Sequence, residues 1–446
     1  MKTYHQQTPI DDRVASADRW RDSVYRKVTV RLMPVLALAY MCCMLDRSAM
    51  GFAKLEFLGA LHLTEATYGL AAGLFYIGYM VSEVPSNIYM HKKGVKKTLL
   101  RIMVLWGIVT GVEAFAKTAG QFYLIRFLLG VAEGGFLPGT LLYLTYWYPA
   151  DKRAQANALF LVINPFAGMV GGVLTGAIMG GTIGWSGLAD WQNLFVVLGT
   201  MTILLGVFCF FYLTNYPEHA RWLSKEERGL IALEVTQNAG GLTRQHEISA
   251  GFLKDRRVYI AMAIYFTLIS SSSTFAMWGP SLIRSLTIKA DIRSIGFTAA
   301  IPYAVAIPGT YLLGKSSDYF QERRWHFLAC TLMIGVGFAG LSLFGQGLVA
   351  GIAFLSFTAA GIYGGSAIFF TLLSSFLSAD SAAGGIALIT AAGGLGGFTM
   401  PWIIGLLRTA TGSFSDAILV VAALAVTGGG LLILGVRDTK VGREVR

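Results

Sequence analysis

The chain has 446 residues, of which 54% are hydrophobic and 14% charged, and its formal net charge is +11. A soluble domain averages about 25% charged residues. The composition therefore argues against a soluble enzyme, a secreted disulfide scaffold and a nucleic-acid binder, and for a chain that crosses a membrane many times.

Residues 1–27, "MKTYHQQTPIDDRVASADRWRDSVYRK", are polar and charged. They lack the charged, apolar and small-residue succession of a cleaved signal, and read as a cytoplasmic tail leading into an uncleaved first helix. A spanning helix needs about 20 mostly apolar residues. On that basis the sequence predicts twelve spans, near 29–53, 66–90, 98–117, 121–147, 154–180, 191–215, 258–284, 294–314, 326–345, 348–377, 382–408 and 414–436. The eleventh is weakest, because "AAGGLGG" is so rich in glycine, a residue tolerated where membrane helices pack closely. The run "GMVGGVLTGAIMGG" (168–181) reads as small-residue helix packing rather than a phosphate loop.

Residues 216–257 form the long polar interruption that divides the spans six and six. Within them Ser224 followed by Glu227 is a capping-box pattern. A short surface helix is expected to start there and to end at "NAGG" (238–241). The expected organisation is a tail (1–28), a six-helix bundle (29–215), a linker (216–257), a second six-helix bundle (258–436) and a tail (437–446). The fold class is an all-α membrane protein of twelve transmembrane helices in two bundles.

Basic residues set the direction. The N-terminal tail holds Arg13, Arg19, Arg21, Arg26 and Lys27, and the turn after the second span holds Lys92, Lys93, Lys96, Lys97 and Arg101. The linker ends "KDRR", and the chain ends "RDTKVGREVR". The opposite turns, such as 181–191 and 345–348, carry almost none. Both termini are thus expected in the cytoplasm, and the positive charge reports topology. The turn "SNIYMHKKGVKK" after the second span is echoed by "GKSSDYFQERR" after the eighth. Six plus six spans with an internal echo is a transporter pattern, with the binding site at midplane between the halves.

Among the ionisable residues within the apolar runs of the first half, four stand out. Asp46 and Arg47 stand side by side in "CCMLDRSAM" (42–50), and Arg126 and Glu133 lie on the fourth span. Each such charge at a bilayer centre costs on the order of 2.5–3.5 kcal/mol, so function is the default reading. Arg126 and Glu133 are seven apart, on one helix face and roughly 10 Å apart along the axis. From the chain directions, Glu133 is expected near midplane, Arg126 further out, and the Asp46–Arg47 pair between them in depth. All four are expected to face one cavity. An arginine presents a planar fork matched to a carboxylate. An anion bound to it weakens its hold on a neighbouring carboxylate, so proton uptake and anion binding favour each other.

The chain resembles the anion:cation symporters of the major facilitator superfamily, in particular the permeases for 4-hydroxyphenylacetate, phthalate, tartrate and sugar acids. The resemblance rests on "LDRSAMGFA" (45–53), "EVPSNIYMHKKG" (83–94), "RFLLGVAEGGFLPGTLLYLTYWYP" (126–149), "KRAQANALF" (152–160), "YPEHARWLSKEE" (216–227) and "GGLGGFTMP" (393–401). It departs at His91, where the family carries an acidic residue, and at Thr390 or Gly394, where many relatives have asparagine. It implies a twelve-helix fold, Asp46 and Glu133 as proton-coupling acids, and Arg47 as a substrate anchor. It also matches Tyr79 and Asn164 to site-lining positions. Arg126 is added as a second anchor or as the partner of an acid. Trp278 in "ISSSSTFAMWGP" (269–280) and Thr390 complete the expected binding set.

Bland readings stand beside these. Asp46–Arg126 and Arg47–Glu133 could be permanent ion pairs that only fix packing. Glu83, before Pro85, reads as a gate residue or a coupling acid. Glu113 lies near the outer end of the third span and reads as solvated. Asp318 with Arg323 and Arg324 reads as a cytoplasmic-face latch, and Tyr79 and Trp278 could be packing residues. The expected function is import of a small organic anion with protons, by a monomer in the inner membrane, with no metal, cofactor or enzymatic activity. The alternatives are a proton-driven exporter of drugs or metabolites and a membrane nutrient sensor that transports nothing.

Overall fold

The computed structural model describes residues 10–182, 187–239, 255–287, 291–345, 347–376 and 379–435. The described residues are mostly helical. In order, the helices are α1 (Ile10–Ala60), α2 (Glu65–Lys93), α3 (Val95–Glu113), α4 (Ala119–Glu133), α5 (Phe136–Thr145), α6 (Ala150–Leu161), α7 (Ile163–Ala177) and α8 (Asp190–Tyr212). They continue as α9 (Lys225–Ala239), α10 (Arg256–Ser285), α11 (Ile292–Tyr319), α12 (Arg324–Phe344), α13 (Leu348–Phe376), α14 (Ala379–Thr411) and α15 (Ser415–Gly435). All twelve expected spans are present as helix. Among the described residues ten helical stretches are individually long and apolar enough to cross a membrane. The other two are α2 and α3; α3 is short and opens on Lys96, Lys97 and Arg101.

Local chemistry explains where the helices depart from the expected boundaries. α1 starts well before residue 29 because residues 10–28 contain no proline or glycine to interrupt a helix. Its 51 residues would extend about 77 Å at 1.5 Å per residue, more than twice a bilayer core. The fourth span is two helices. The chain breaks at Gly134–Gly135, where Gly135 has φ +91°, a conformation that side chains with a Cβ avoid. Pro138 then falls in the first turn of α5, where a missing N–H costs little. The fifth span breaks between Leu161 and Ile163. Pro165 cannot donate to the carbonyl four residues back and its ring crowds that carbonyl. Beyond α7 a turn of π-helix runs over Ile178–Thr182.

The helices form the two six-helix bundles of the expected fold, and the packing repeats between them. In the first bundle α3 lies on α8, α2 on α4 and α1 on α8. In the second α12 lies on α15, α11 on α13 and α10 on α15. The bundles meet where α2 runs along α14, α7 along α11 and α1 against α10. The seam is built from small residues. A Cβ at Gly172 would stand 2.7 Å from the Gly296 carbonyl, and one at Gly296 would stand 2.5 Å from the Gly172 carbonyl. Only glycine permits such an approach of two backbones.

The polar segment after α8 returns to the first bundle. Arg21 on α1 donates to Glu234 on α9 at 2.8 Å and to Asp151 on α6 at 2.8 Å, while the Tyr25 hydroxyl donates to Glu234 at 2.9 Å. The expected capping box opens α9: Ser224 N–H donates to Glu227 at 2.7 Å and Glu227 N–H donates to the Ser224 hydroxyl at 3.1 Å. The Ser224 backbone N–H, with Lys27 beside it, holds the Glu227 carboxyl below the usual carboxylate range. α9 runs to Ala239; the expected stop at Gly240 and Gly241 lies outside the described residues. We call the side of the molecule that carries α9 the linker face, and the opposite side the distal face.

Candidate functional site

Two arginine–glutamate pairs and one aspartate lie inside the first bundle, in layers along α1, α3 and α4. One layer is built on Arg47, three turns before the end of α1. Its Nε donates to Glu133 Oε1 at 2.9 Å, and its Nη2 donates to the same oxygen. The Cys43 thiol, one turn earlier on α1, donates to that oxygen too, at 3.0 Å. Glu133 Oε2 has no hydrogen-bond partner among the described residues. The Glu133 side chain is fully buried, whereas that of Arg47 is 22% exposed. The Arg47 guanidinium lies over two rings of α2, Phe75 at 5.0 Å and Tyr79 at 5.2 Å. Glu83, one turn beyond Tyr79, is half-buried.

This layer borders the seam. α14 comes close to α2 and α10 there through "GGLGG" (393–397). A Cβ at Gly397 would meet the Tyr76 ring at 2.6 Å, and one at Gly393 the Tyr265 ring at 2.5 Å. Tyr265 in turn stacks on Phe369 at 5.2 Å. The Gly-rich segment that weakens the eleventh span on paper is thus the segment that lets the second bundle approach the Arg47 layer.

The next layer toward the distal face holds Asp46, which is 2% exposed. It accepts from Trp106 Nε1 at 3.0 Å and from the Thr110 hydroxyl at 3.2 Å, two α3 residues one turn apart. Beyond it Arg126 Nε donates to Glu113 Oε1 at 2.8 Å, with side chains 1% and 0% exposed. Glu113 is therefore not solvated at a helix end, as its position near the end of the third span suggests. It turns inward, because a fully buried guanidinium requires a counter-charge. Arg126 is enclosed by the bundle rather than facing a cavity shared with Arg47.

The remaining expected residues fall into two groups. Tyr79 stands beside Arg47, as described. Asn164 is half-buried in the first turn of α7, and Thr390 is half-buried on α14. Trp278 lies away from Arg47. It is fully buried near the distal face, edge-on to Tyr68 at 5.0 Å and to Phe414 at 5.7 Å. Asp318, with a side chain 70% exposed, stands 3.7 Å from Arg323. Arg323 donates to the Thr371 carbonyl at 3.2 Å and Arg324 to the Ile433 carbonyl at 2.9 Å. These contacts tie the α11–α12 turn to α13 and α15 within one bundle; they do not bridge the two.

Sequence reasoning missed Cys43, Trp106 and Thr110 as partners of the acids, and it missed Lys54. That lysine is 2% exposed and lies seven residues after Arg47, hence on the same face of α1. That spacing was the available signal. Among the described residues no group of histidine, cysteine and carboxylate side chains is placed to hold a metal ion.

Comparison with known proteins agrees with this fold. The profile of the Major Facilitator Superfamily matches residues 36–401. A protein of Agrobacterium vitis named as a tartrate transporter is 37% identical over 427 residues, which cover 95% of this chain and 93% of that one. A protein of Pseudomonas putida named as the metabolite transport protein NicT is 36% identical, over 93% and 95% of the two chains. The quinolone resistance transporter of Acinetobacter baumannii is 35% identical, over 91% and 93%. Among solved structures, the xylose transporter XylE of E. coli in an inward-open conformation superposes with a TM-score of 0.73. It has 15% identity and covers 92% of this chain and 96% of that one.

Proposed function

The chain belongs to the major facilitator superfamily, and we propose that within it the protein imports a small organic anion together with protons by alternating access. The observation that carries this reading is the Arg47–Glu133 pair. It is a charge pair at the middle of the first bundle, beside the seam, with the arginine partly exposed and the glutamate not. A pair serving packing alone would be enclosed on both sides, as Arg126–Glu113 is.

The proposed cycle uses only these groups. Glu133 Oε1 is held by three donors, so an arriving proton takes Oε2. Neutral Glu133 holds the guanidinium less strongly, and the Arg47 fork turns to the substrate carboxylate. Proton and anion each favour the binding of the other. Tyr76, Tyr79 and Tyr265 then border the anion. Asp46 acts as a second proton site one layer further out, with Glu83 at the linker-face end of the α2 wall. Arg126 supports this layer from the distal side. Asn164 and Thr390 flank the path from α7 and α14. The basic linker face lies in the cytoplasm of a cell whose inner membrane holds the protein as a monomer.

The test is uptake into proteoliposomes with and without an inside-alkaline pH gradient, offering tartrate, sugar acids, phthalate and hydroxyphenylacetate. Accumulation of one acid only under the gradient supports the reading. The Acinetobacter relative's name favours a second one, proton-driven export. If no acid moves and cationic drugs exchange against protons instead, the export reading replaces the first.

A further inference from the structure

One turn-pair beyond Arg47 along α1, a second cation is enclosed where the two bundles meet. The Lys54 ammonium stands 2.7 Å from Glu65 Oε2 at the start of α2. It also lies 3.7 Å from the Trp278 ring centre, 4.6 Å from that of Tyr68 and 5.7 Å from that of Phe414. Ownership of this cage is divided. Lys54, Glu65 and Tyr68 belong to the first bundle; Trp278 on α10 and Phe414 before α15 belong to the second. Three hydrogen bonds join the bundles at the same level. The Tyr68 hydroxyl donates to the Met277 carbonyl at 2.7 Å, Ala66 N–H to the Thr409 hydroxyl at 2.9 Å, and Arg284 to the Leu55 carbonyl at 2.8 Å. The bundles are closed against each other on the distal face.

We propose that Lys54 is the gating residue of the distal seam, caged by rings of both bundles when that side is closed and returned to water when the bundles part. The proposal rests on the alternating-access reading of the protein. Its physics is a balance. Enclosing an ammonium costs hydration, and Glu65 with the faces of the rings offsets that cost. Parting the bundles carries Trp278 and Phe414 away and leaves Lys54 with Glu65, Tyr68 and solvent. The charge therefore keeps the closed state from becoming too stable to open, and Trp278 keeps it from becoming too costly to close.

This balance makes two replacements act in opposite directions. Lys54→Met fills the cage with an apolar chain that gains nothing from water, so it favours the closed seam. Trp278→Leu removes the ring nearest the ammonium, so it favours the open one. Simple packing predicts that both loosen the seam.

The experiment is a pulsed electron-spin distance measurement on the full chain in lipid nanodiscs. Spin labels are placed at Ala60→Cys and Ala410→Cys, exposed positions at the distal ends of α1 and α14; the native cysteines are buried and stay in place. The proposal expects the long-distance population to fall about threefold in Lys54→Met and to rise about threefold in Trp278→Leu. Lys54→Arg and Trp278→Phe should stay near the starting distribution. A shift of both principal variants in the same direction, or of neither, overturns it. Because the distances need no substrate, a failure of organic acids to move in the uptake assay overturns the substrate reading alone. Unchanged distances with intact uptake overturn the role of Lys54 alone.

Discussion

Two arginine–glutamate pairs lie in the same bundle, and they differ in what surrounds them. Arg126–Glu113 joins α4 to α3 and is shut in from every side. Arg47–Glu133 joins α1 to α4 with the same chemistry, yet its arginine is partly exposed and lies over the Phe75 and Tyr79 rings near the seam. The difference teaches that the presence of charge inside a membrane bundle does not identify the working residues. A buried pair whose partners have no access to a path can hold helices in register and do nothing else. A pair with one accessible member has somewhere for a substrate or proton to arrive.

The comparison can be broken most forcefully at the enclosed pair. Arg126→Leu should strand Glu113 and destabilise the protein by about 3–5 kcal/mol, read as a large fall in the thermal unfolding temperature of the detergent-solubilised protein. Replacing both, Arg126→Met with Glu113→Leu, should recover most of it. If Arg126→Leu instead leaves stability unchanged and abolishes uptake, the two pairs have their roles reversed. At the accessible pair the expected effect is on binding. Arg47→Lys should weaken anion affinity by about ten- to a hundredfold, or about 1.4–2.8 kcal/mol, because a point charge cannot replace a fork. Near-normal affinity by calorimetry would remove Arg47 as anchor.

Smaller effects sharpen the contrast between the layers. Trp106→Phe takes one donor from Asp46 and should cost about 1 kcal/mol, again read by thermal unfolding. The smallest expected change lies outside the membrane. Ser224→Ala removes the α9 cap and should cost about 0.5–1 kcal/mol, visible as faster amide exchange over 225–239. The folded-state depression of Glu227 gives that cap a pH dependence. Its contribution is present above the ordinary glutamate range and is lost as pH falls through the lowered folded value. Protection of α9 that is indifferent to acid would contradict this.

Much of the architecture is legible because a bilayer imposes a length of apolar sequence on every span. The breaks are less so. Gly134–Gly135 and Pro165 are visible as letters, but membrane helices often carry such residues unbroken, and only the packing around them decides. Order along a span is also legible, since each residue adds a fixed rise to its helix, although Asp46 and Arg47, adjacent in sequence, meet partners in different layers. Rotation is not legible. Arg126 and Glu133 share a helix face, yet their partners, Glu113 and Arg47, come from different helices, and no spacing within one segment states which neighbour a side chain meets. Lys54 carries little signal in the sequence because it closes an apolar run and reads as the edge of the span. In the fold it is sealed by rings contributed from residues 68, 278 and 414.

The most direct test of the central claim is made on Glu133→Gln in proteoliposomes loaded with the transported acid. Exchange of labelled for unlabelled acid and gradient-driven accumulation are measured side by side. If Arg47–Glu133 couples proton to anion, the variant should keep exchange within about threefold of the unaltered protein while accumulation under the pH gradient disappears. Accumulation that survives unchanged would contradict the account and place the coupling proton elsewhere.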